Sequence, residues 1–280
     1  METIQGIMEQ SATMGEQDLP VIELTDVSPT ASAADKEKIG WVSPNYTMSR
    51  SVRLVPDSIL SNRCVGFFHD APEVEHYRLL RTQVLHRAKE KGGNTLMVTS
   101  SVPGEGKTLT AINLAFTFAR EFKQTVLLVD CDLRQQKIHE YLGYSSEKGL
   151  IDYLLDDTPV ADLITWPGME KLTLISGGRT AIGSSELLGS PRMKDLVDDM
   201  KNRYPDRFII FDVPPVLSAA DALAFAPIID HILVVVGAGS TSIQKVRKTL
   251  QLLPKEKIMG LVLNKEKLAP NDNNLYFTKK

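Results

Sequence analysis

Three groups of residues have the types and spacing to do chemistry. The first is Ser101-Val102-Pro103-Gly104-Glu105-Gly106-Lys107-Thr108, set between an apolar run and a helical pattern. Glycines there let the backbone curl until its N–H groups face an anion, and the helix N-terminus that follows adds partial positive charge. In such a phosphate loop Lys107 reaches the terminal phosphates and the Thr108 hydroxyl takes a magnesium ion. The strict G-x-x-x-x-G-K-[ST] spacing departs at its first position, where Ser101 stands, but Gly104 and Gly106 still supply tight curvature. The second group is Asp130-Cys131-Asp132-Leu133-Arg134, and the third is Asp212, followed by Val213-Pro214-Pro215. Magnesium needs carboxylate oxygens beside the phosphates, and a carboxylate can accept a proton from an attacking hydroxyl. Singly, each aspartate could equally be a helix cap or a turn residue. Three of them at strand ends beside a phosphate loop read as one site.

The elements that must position these residues follow from the apolar pattern. Val74, Tyr77, Leu80, Val84 and Leu85 recur at helical spacing after Pro72. Thr95–Ser100, Thr125–Asp130, Leu172–Ser176, Phe208–Asp212, His231–Val236 and Ile258–Leu263 are continuous apolar runs of strand length, the signature of strands covered on both faces. Between them, 107–122, 149–155, 191–204 and 241–253 read as helices. Alternating strands and helices predict an α/β fold: a three-layer αβα sandwich with a mainly parallel sheet and right-handed crossovers. Ligands of open α/β sheets sit at the carboxyl ends of the strands, which places the loop and the three aspartates on one rim.

Composition narrows the class. With 280 residues, the chain can bury a full core, and two cysteines rule out a disulfide scaffold or a multi-cysteine zinc module. Cys131 reads as a buried filler, because neighbouring carboxylates disfavour a thiolate. The five histidines form no metal-ligand spacing. No apolar stretch approaches bilayer length, and the N-terminus lacks a signal-peptide pattern, so the expectation is a cytoplasmic protein. A net charge of -3 argues against a nucleic-acid binder. Residues 1–40 hold eight acids against two lysines, and 245–280 hold nine Lys/Arg against three acids. The sequence divides into a flexible, low-complexity N-terminal arm over 1–70, an ATPase-like domain over 71–268 and a flexible tail over 269–280 carrying Tyr276.

These motifs together resemble the bacterial tyrosine autokinases of exopolysaccharide synthesis and export, a branch of the deviant P-loop ATPases. The resemblance runs over about residues 70–265. It rests on SSVPGEGKT (100–108), VLLVDCDLR (126–134), FIIFDVPP (208–215) with Asp221-Ala222, and Glu75-x-x-Arg78-x-x-Arg81. Weaker matches are Ser185-Glu186-Leu187-Leu188 and Gly260-Leu261-Val262-Leu263-Asn264. It implies an ATP- and Mg2+-dependent protein-tyrosine kinase. Pro103, Gly104, Glu105, Gly106, Lys107, Thr108 and Leu109 would bind nucleotide, with Asn264 near the adenine. Thr108, Asp132 and Asp212 would hold the metal, Lys107 would stabilise phosphate charge, and Asp130 would deprotonate the tyrosine. Glu75, Arg78 and Arg81 share a helix side. An internal Glu–Arg pair on a solvated face would explain that spacing, whereas the resemblance makes it a contact in a ring-like homo-oligomer.

The family commonly ends in a tyrosine cluster, whereas this tail has Tyr276 alone, between Asn273-Asn274-Leu275 and Phe277. Tyr276 is the expected acceptor; Tyr46, Tyr141, Tyr144, Tyr153 and Tyr204 are alternatives. The resemblance also implies a separate membrane partner, a polysaccharide co-polymerase, holding the chain at the inner membrane face. Two other functions fit a phosphate loop. A MinD/ParA-like positioning ATPase would carry a second lysine early in the loop, where Val102 stands. A scaffold that binds ATP to organise an export complex would show no tyrosine transfer.

Overall fold

The computed structural model describes residues 49–68, 71–121, 123–204 and 206–266. The chain enters through strand β1 (Arg50–Ser51), helix α1 (Pro56–Ser61) and a 3-10 turn at Val65–Phe67. Helix α2 (Val74–Lys91) leads to β2 (Thr95–Ser100), the glycine loop and α3 (Lys107–Phe118). Strand β3 (Thr125–Asp130) is followed by α4 (Ile138–Leu142), α5 (Leu150–Asp156), α6 (Val160–Leu163), β4 (Thr165–Trp166) and β5 (Leu172–Ile175). Then come α7 (Ser184–Leu188), α8 (Pro191–Arg203), β6 (Arg207–Asp212), α9 (Asp221–Phe225), β7 (His231–Gly237), α10 (Ile243–Leu252) and β8 (Ile258–Asn264).

The eight strands form one sheet in the order β1-β4-β5-β3-β6-β2-β7-β8. All neighbours are parallel except β4 and β5. Strand side chains alternate between faces, and the inner strands feed two cores. Leu96, Val98, Val126, Leu128, Phe208 and Ile210 pack with α3. Met97, Leu127, Val129, Ile209 and Phe211 pack with α5, α8 and α9. This double coverage gives the three layers and explains the unbroken apolar runs. Helix α3 lies deepest, buried from Thr110 to Phe118. Its neighbour α2 buries only Val74, Val84 and Ala88 fully, so Tyr77, Leu80 and Leu85 of the expected apolar face are half-covered.

One expected boundary moves. The last part of the expected arm, from residue 49 on, is packed: Leu54, Ile59 and Cys64 are at most 1% exposed. Its attachment uses polar wiring that leaves no period in the sequence. Asn113 of α3 accepts the Gly66 N–H at 2.8 Å and donates to the Arg63 carbonyl at 3.2 Å. Gly66 fits so closely that a Cβ there would lie 2.6 Å from the Asn113 carbonyl oxygen. Residues 1–48 of that arm and the tail with Tyr276 lie outside the described residues.

Candidate functional site

Sheet register assembles the site. Asp130 and Asp212 end adjacent strands β3 and β6 and stand opposite one another in the ladder. Strand β2 lies against β6 on its other side, with Val98 opposite Asp212, so the loop leaving β2 passes over these carboxylates. After β6 the chain crosses the start of the loop: Val216 and Leu217 N–H donate to the Ser100 and Ser101 carbonyls at 2.9 and 3.1 Å. Gly104 and Gly106 adopt φ values of +80° and +95°, where a side chain is strained. Ser101 is outside that region, which is why the first glycine of the strict pattern is dispensable.

Lys107 and Thr108 open α3 and point at the aspartates. Lys107 Nζ lies 2.9 Å from Asp132 Oδ2 and 3.3 Å from Asp212 Oδ1. The Thr108 hydroxyl donates to Asp212 Oδ2 at 2.6 Å. Burial alone would pull the Lys107 ammonium down, but Asp212 and Asp132 outweigh it and hold it above its ordinary value. Burial pushes the Asp212 carboxyl up, although Lys107 and the Thr108 hydrogen bond oppose the shift.

Asp130 differs from its neighbours. It is fully buried, with Oδ1 accepting the Asp132 N–H and Oδ2 accepting those of Lys137 and Ile138, all at 3.1 Å. Burial, then the Asp212 charge, push its carboxyl up to about 8. That value suits a proton acceptor, but both oxygens are engaged in fixing the turn from β3 into α4. Cys131 is a free, buried thiol pushed far up by burial and by the three aspartates.

A cavity of about 510 Å³ opens over this group. Of the expected residues, Pro103, Gly104, Gly106, Lys107, Thr108, Leu109, Asp132 and Asn264 line it; Glu105, Asp130 and Asp212 are outside the lining. Asn264 reaches the loop itself: its Nδ2 donates to the Glu105 carbonyl at 2.8 Å, and a Cβ on Gly106 would sit 2.2 Å from that nitrogen. Sequence reasoning missed Arg63, Tyr77, Lys137 and Lys265 in the wall, and named Tyr141, which also lines it, only as an alternative acceptor. Tyr77 bore a signal, but its helical spacing assigned it to the core. Arg134, from the second motif, also lines the cavity and pairs with buried Asp221 at 3.3 Å. The donor set fits magnesium: a hydroxyl and two carboxylates, all hard oxygens, sit around Lys107. A Cβ at Gly104 would meet no heavy atom within 4 Å, so the loop has open space beside it for phosphates.

The helix-side motif is divided. Arg78 pairs with Glu75 at 2.9 Å within α2. Arg81 instead reaches across to α3, pairing with Glu121 at 2.7 Å and donating to the Thr117 carbonyl at 2.9 Å.

A family model described as AAA domain matches residues 94–261. Tyrosine-protein kinase YwqD of Bacillus subtilis (strain 168) is 32% identical over 205 residues, 72% of this chain and 85% of that protein. The chain belongs to the bacterial tyrosine-protein kinase family. The kinase domain of Escherichia coli tyrosine kinase ETK matches this kinase with a TM-score of 0.67 at 26% identity, covering 85% of this chain and 98% of that one. Succinoglycan biosynthesis transport protein ExoP of Rhizobium meliloti (strain 1021) is 28% identical over 246 residues, 85% of the kinase but 31% of ExoP. The resemblance drawn from the motifs and the three-layer fold are both borne out.

Proposed function

We propose that this tyrosine kinase uses the cavity to move the γ-phosphoryl group of ATP to a tyrosine hydroxyl in a polysaccharide-assembly system. The observation carrying the reading is the convergence of Lys107, Thr108, Asp132 and Asp212 beneath a left-handed glycine loop. The N–H groups of the loop and the α3 N-terminus would hold the phosphates. Thr108 and Asp212 would hold Mg2+, which neutralises phosphate charge when bound, with Asp132 beside them kept off the metal. Lys107 exchanges its carboxylate partners for phosphate oxygens. The tyrosine oxygen bonds to the γ-phosphorus as the bond to the ADP oxygen breaks. The phenolic proton passes to a carboxylate. Asp132 lines the cavity, and we assign it that proton; Asp130, the acceptor expected from the sequence, supports the turn behind it. Asn264 supports the loop beside the nucleotide.

Tyr276 is the proposed acceptor, and the Glu75/Arg78 part of α2 the proposed subunit contact. The polysaccharide assignment is supported by the name of ExoP, whose match to the kinase is only part of a longer protein. Among the described residues, no helix is long and apolar enough to cross a membrane. Attachment to the inner membrane face is therefore proposed to run through a separate co-polymerase partner. The test is purified protein with ATP and Mg2+, wild type against Lys107→Met and Tyr276→Phe, with phosphotyrosine mapped by mass spectrometry. Loss in both variants is expected. Loss in Lys107→Met alone moves the acceptor elsewhere, and ATP binding with no phosphotyrosine in the wild type overturns the transfer.

A further inference from the structure

A carboxylate sits inside the phosphate loop, where direct contact with an anion would be repulsive. Glu105 lies between Gly104 and Gly106, yet it is 2% exposed and absent from the cavity lining. Its Oε2 accepts the Val102 N–H at 2.7 Å. Its Oε1 accepts the Gly237 N–H at 3.0 Å and the Thr241 hydroxyl. Its carbonyl accepts the Asn264 amide at 2.8 Å. Gly237 ends β7, Asn264 ends β8 and Thr241 lies in the turn leading to α10. One loop residue thus gathers tethers from its own loop and from the ends of two strands on the side of β2 away from the aspartates.

The turn it holds is itself closed. The Gly237 carbonyl accepts the Ser240 and Thr241 N–H groups at 3.3 and 3.1 Å, and the Ala238 N–H donates to the Asn264 carbonyl at 2.7 Å. A Cβ on Gly237 would lie 2.4 Å from Ser240 Oγ within the same turn and 3.7 Å from Glu105 Cγ, so the turn packs closely around this strand end. Charge-assisted hydrogen bonds are stronger tethers than neutral ones, and away from water they are costly to break. By drawing Val102 N–H inward, the carboxylate fixes the span Val102–Glu105, while the left-handed Gly104 and Gly106 absorb the curvature.

We infer that Glu105 is a positioning residue: through Thr241 it sets the curvature of the phosphate loop and couples nucleotide affinity to the β7–α10 turn. The inference rests on the nucleotide reading of the cavity.

The test is ATP·Mg affinity by isothermal titration for Glu105→Gln, Thr241→Val, Thr241→Ser and the double variant Glu105→Gln/Thr241→Val, alongside KM and kcat for transfer. Glu105→Gln should weaken ATP binding about tenfold or more, the worth of one hydrogen bond to a charged group. Thr241→Val should weaken it in the same direction and Thr241→Ser should restore it. The double variant should bind no worse than Glu105→Gln alone, because both changes break one linkage. KM for ATP should rise while kcat changes little. A purely structural role would lower the melting temperature without moving the affinity of the folded protein, and that result overturns the inference. So does an unchanged affinity in Thr241→Val, which decides the matter even if Glu105→Gln does not fold. A wild type that binds no ATP removes the nucleotide reading and the inference with it; a wild type that binds ATP no better than the variants removes the inference alone.

Discussion

Lys107 Nζ lies 2.9 Å from Asp132 Oδ2, and the same ammonium lies 3.3 Å from Asp212 Oδ1. The cation expected to meet phosphate is already neutralised by the two carboxylates expected to meet metal. Lys107→Met should therefore act twice. Phosphotyrosine formation should fall by about 10²- to 10³-fold, the loss typical of one preorganised electrostatic contact, as read by single-turnover transfer. The nucleotide-free protein should also lose stability, because two largely buried carboxylates lose their cationic partner; a urea titration beside the wild type measures it.

The pH dependence of stability follows from Asp130. Its folded-state value is raised to about 8, first by burial and then by the Asp212 charge. A raised carboxyl contributes stability that is fully present below its unfolded value, near 4, and is lost as pH rises through the folded value. Stability should thus decline between about pH 4 and 8 from this group, and Asp212 adds in the same direction. Lys107 is raised above an ordinary lysine, so its contribution is lost only at higher pH. Asp130→Asn should flatten the decline while weakening the β3–α4 turn. Unfolding free energies at pH 5, 6.5 and 8 are the measurement, and an equally steep decline in the variant would rule out Asp130 as the source.

Helix α1 is part of the core. Ile59 is fully buried in a segment whose sequence suggested an arm. Ile59→Ala should cost about 2–5 kcal/mol, as for other large-to-small changes in packed interiors. Chemical denaturation gives the value; a cost near zero would mean that this segment does not belong to the folding unit.

The two arginines of α2 should separate. Arg81 bridges to Glu121 and the Thr117 carbonyl, so Arg81→Ala should lower stability by about 1 kcal/mol or somewhat more for a partly buried pair. Arg78 pairs within its own helix, and Arg78→Glu should change the melting temperature little. If the Glu75/Arg78 side of α2 joins subunits, Arg78→Glu should shift the sedimentation coefficient; an unchanged boundary removes that contact.

The strands and the phosphate loop were readable because burial on both faces writes continuous apolar runs and because left-handed turns demand glycine. Register brought Asp130 and Asp212 together as the strand ends suggested. What the sequence hid was wiring. Leu54 and Ile59 sit in a stretch too short and irregular for a period, held by Asn113 and Gly66. Tyr77 carried a helical spacing yet lines the cavity. Glu105 and Asp130 looked like residues for a ligand, but their side chains turn to backbone N–H groups. Residue type marks what a group can bond to; only the fold decides which partner arrives first.

The cavity draws its residues from across the sheet: Asp132 follows β3, Lys107 follows β2 and Asn264 ends β8. A ligand seated there acts as a cross-link between segments far apart in sequence. Binding the folded state alone adds about 2.7 kcal/mol at a free concentration one hundred times the Kd. The melting temperature of this kinase should accordingly climb with ATP concentration, making the occupied fraction of the cavity a determinant of how long the protein survives heat or protease.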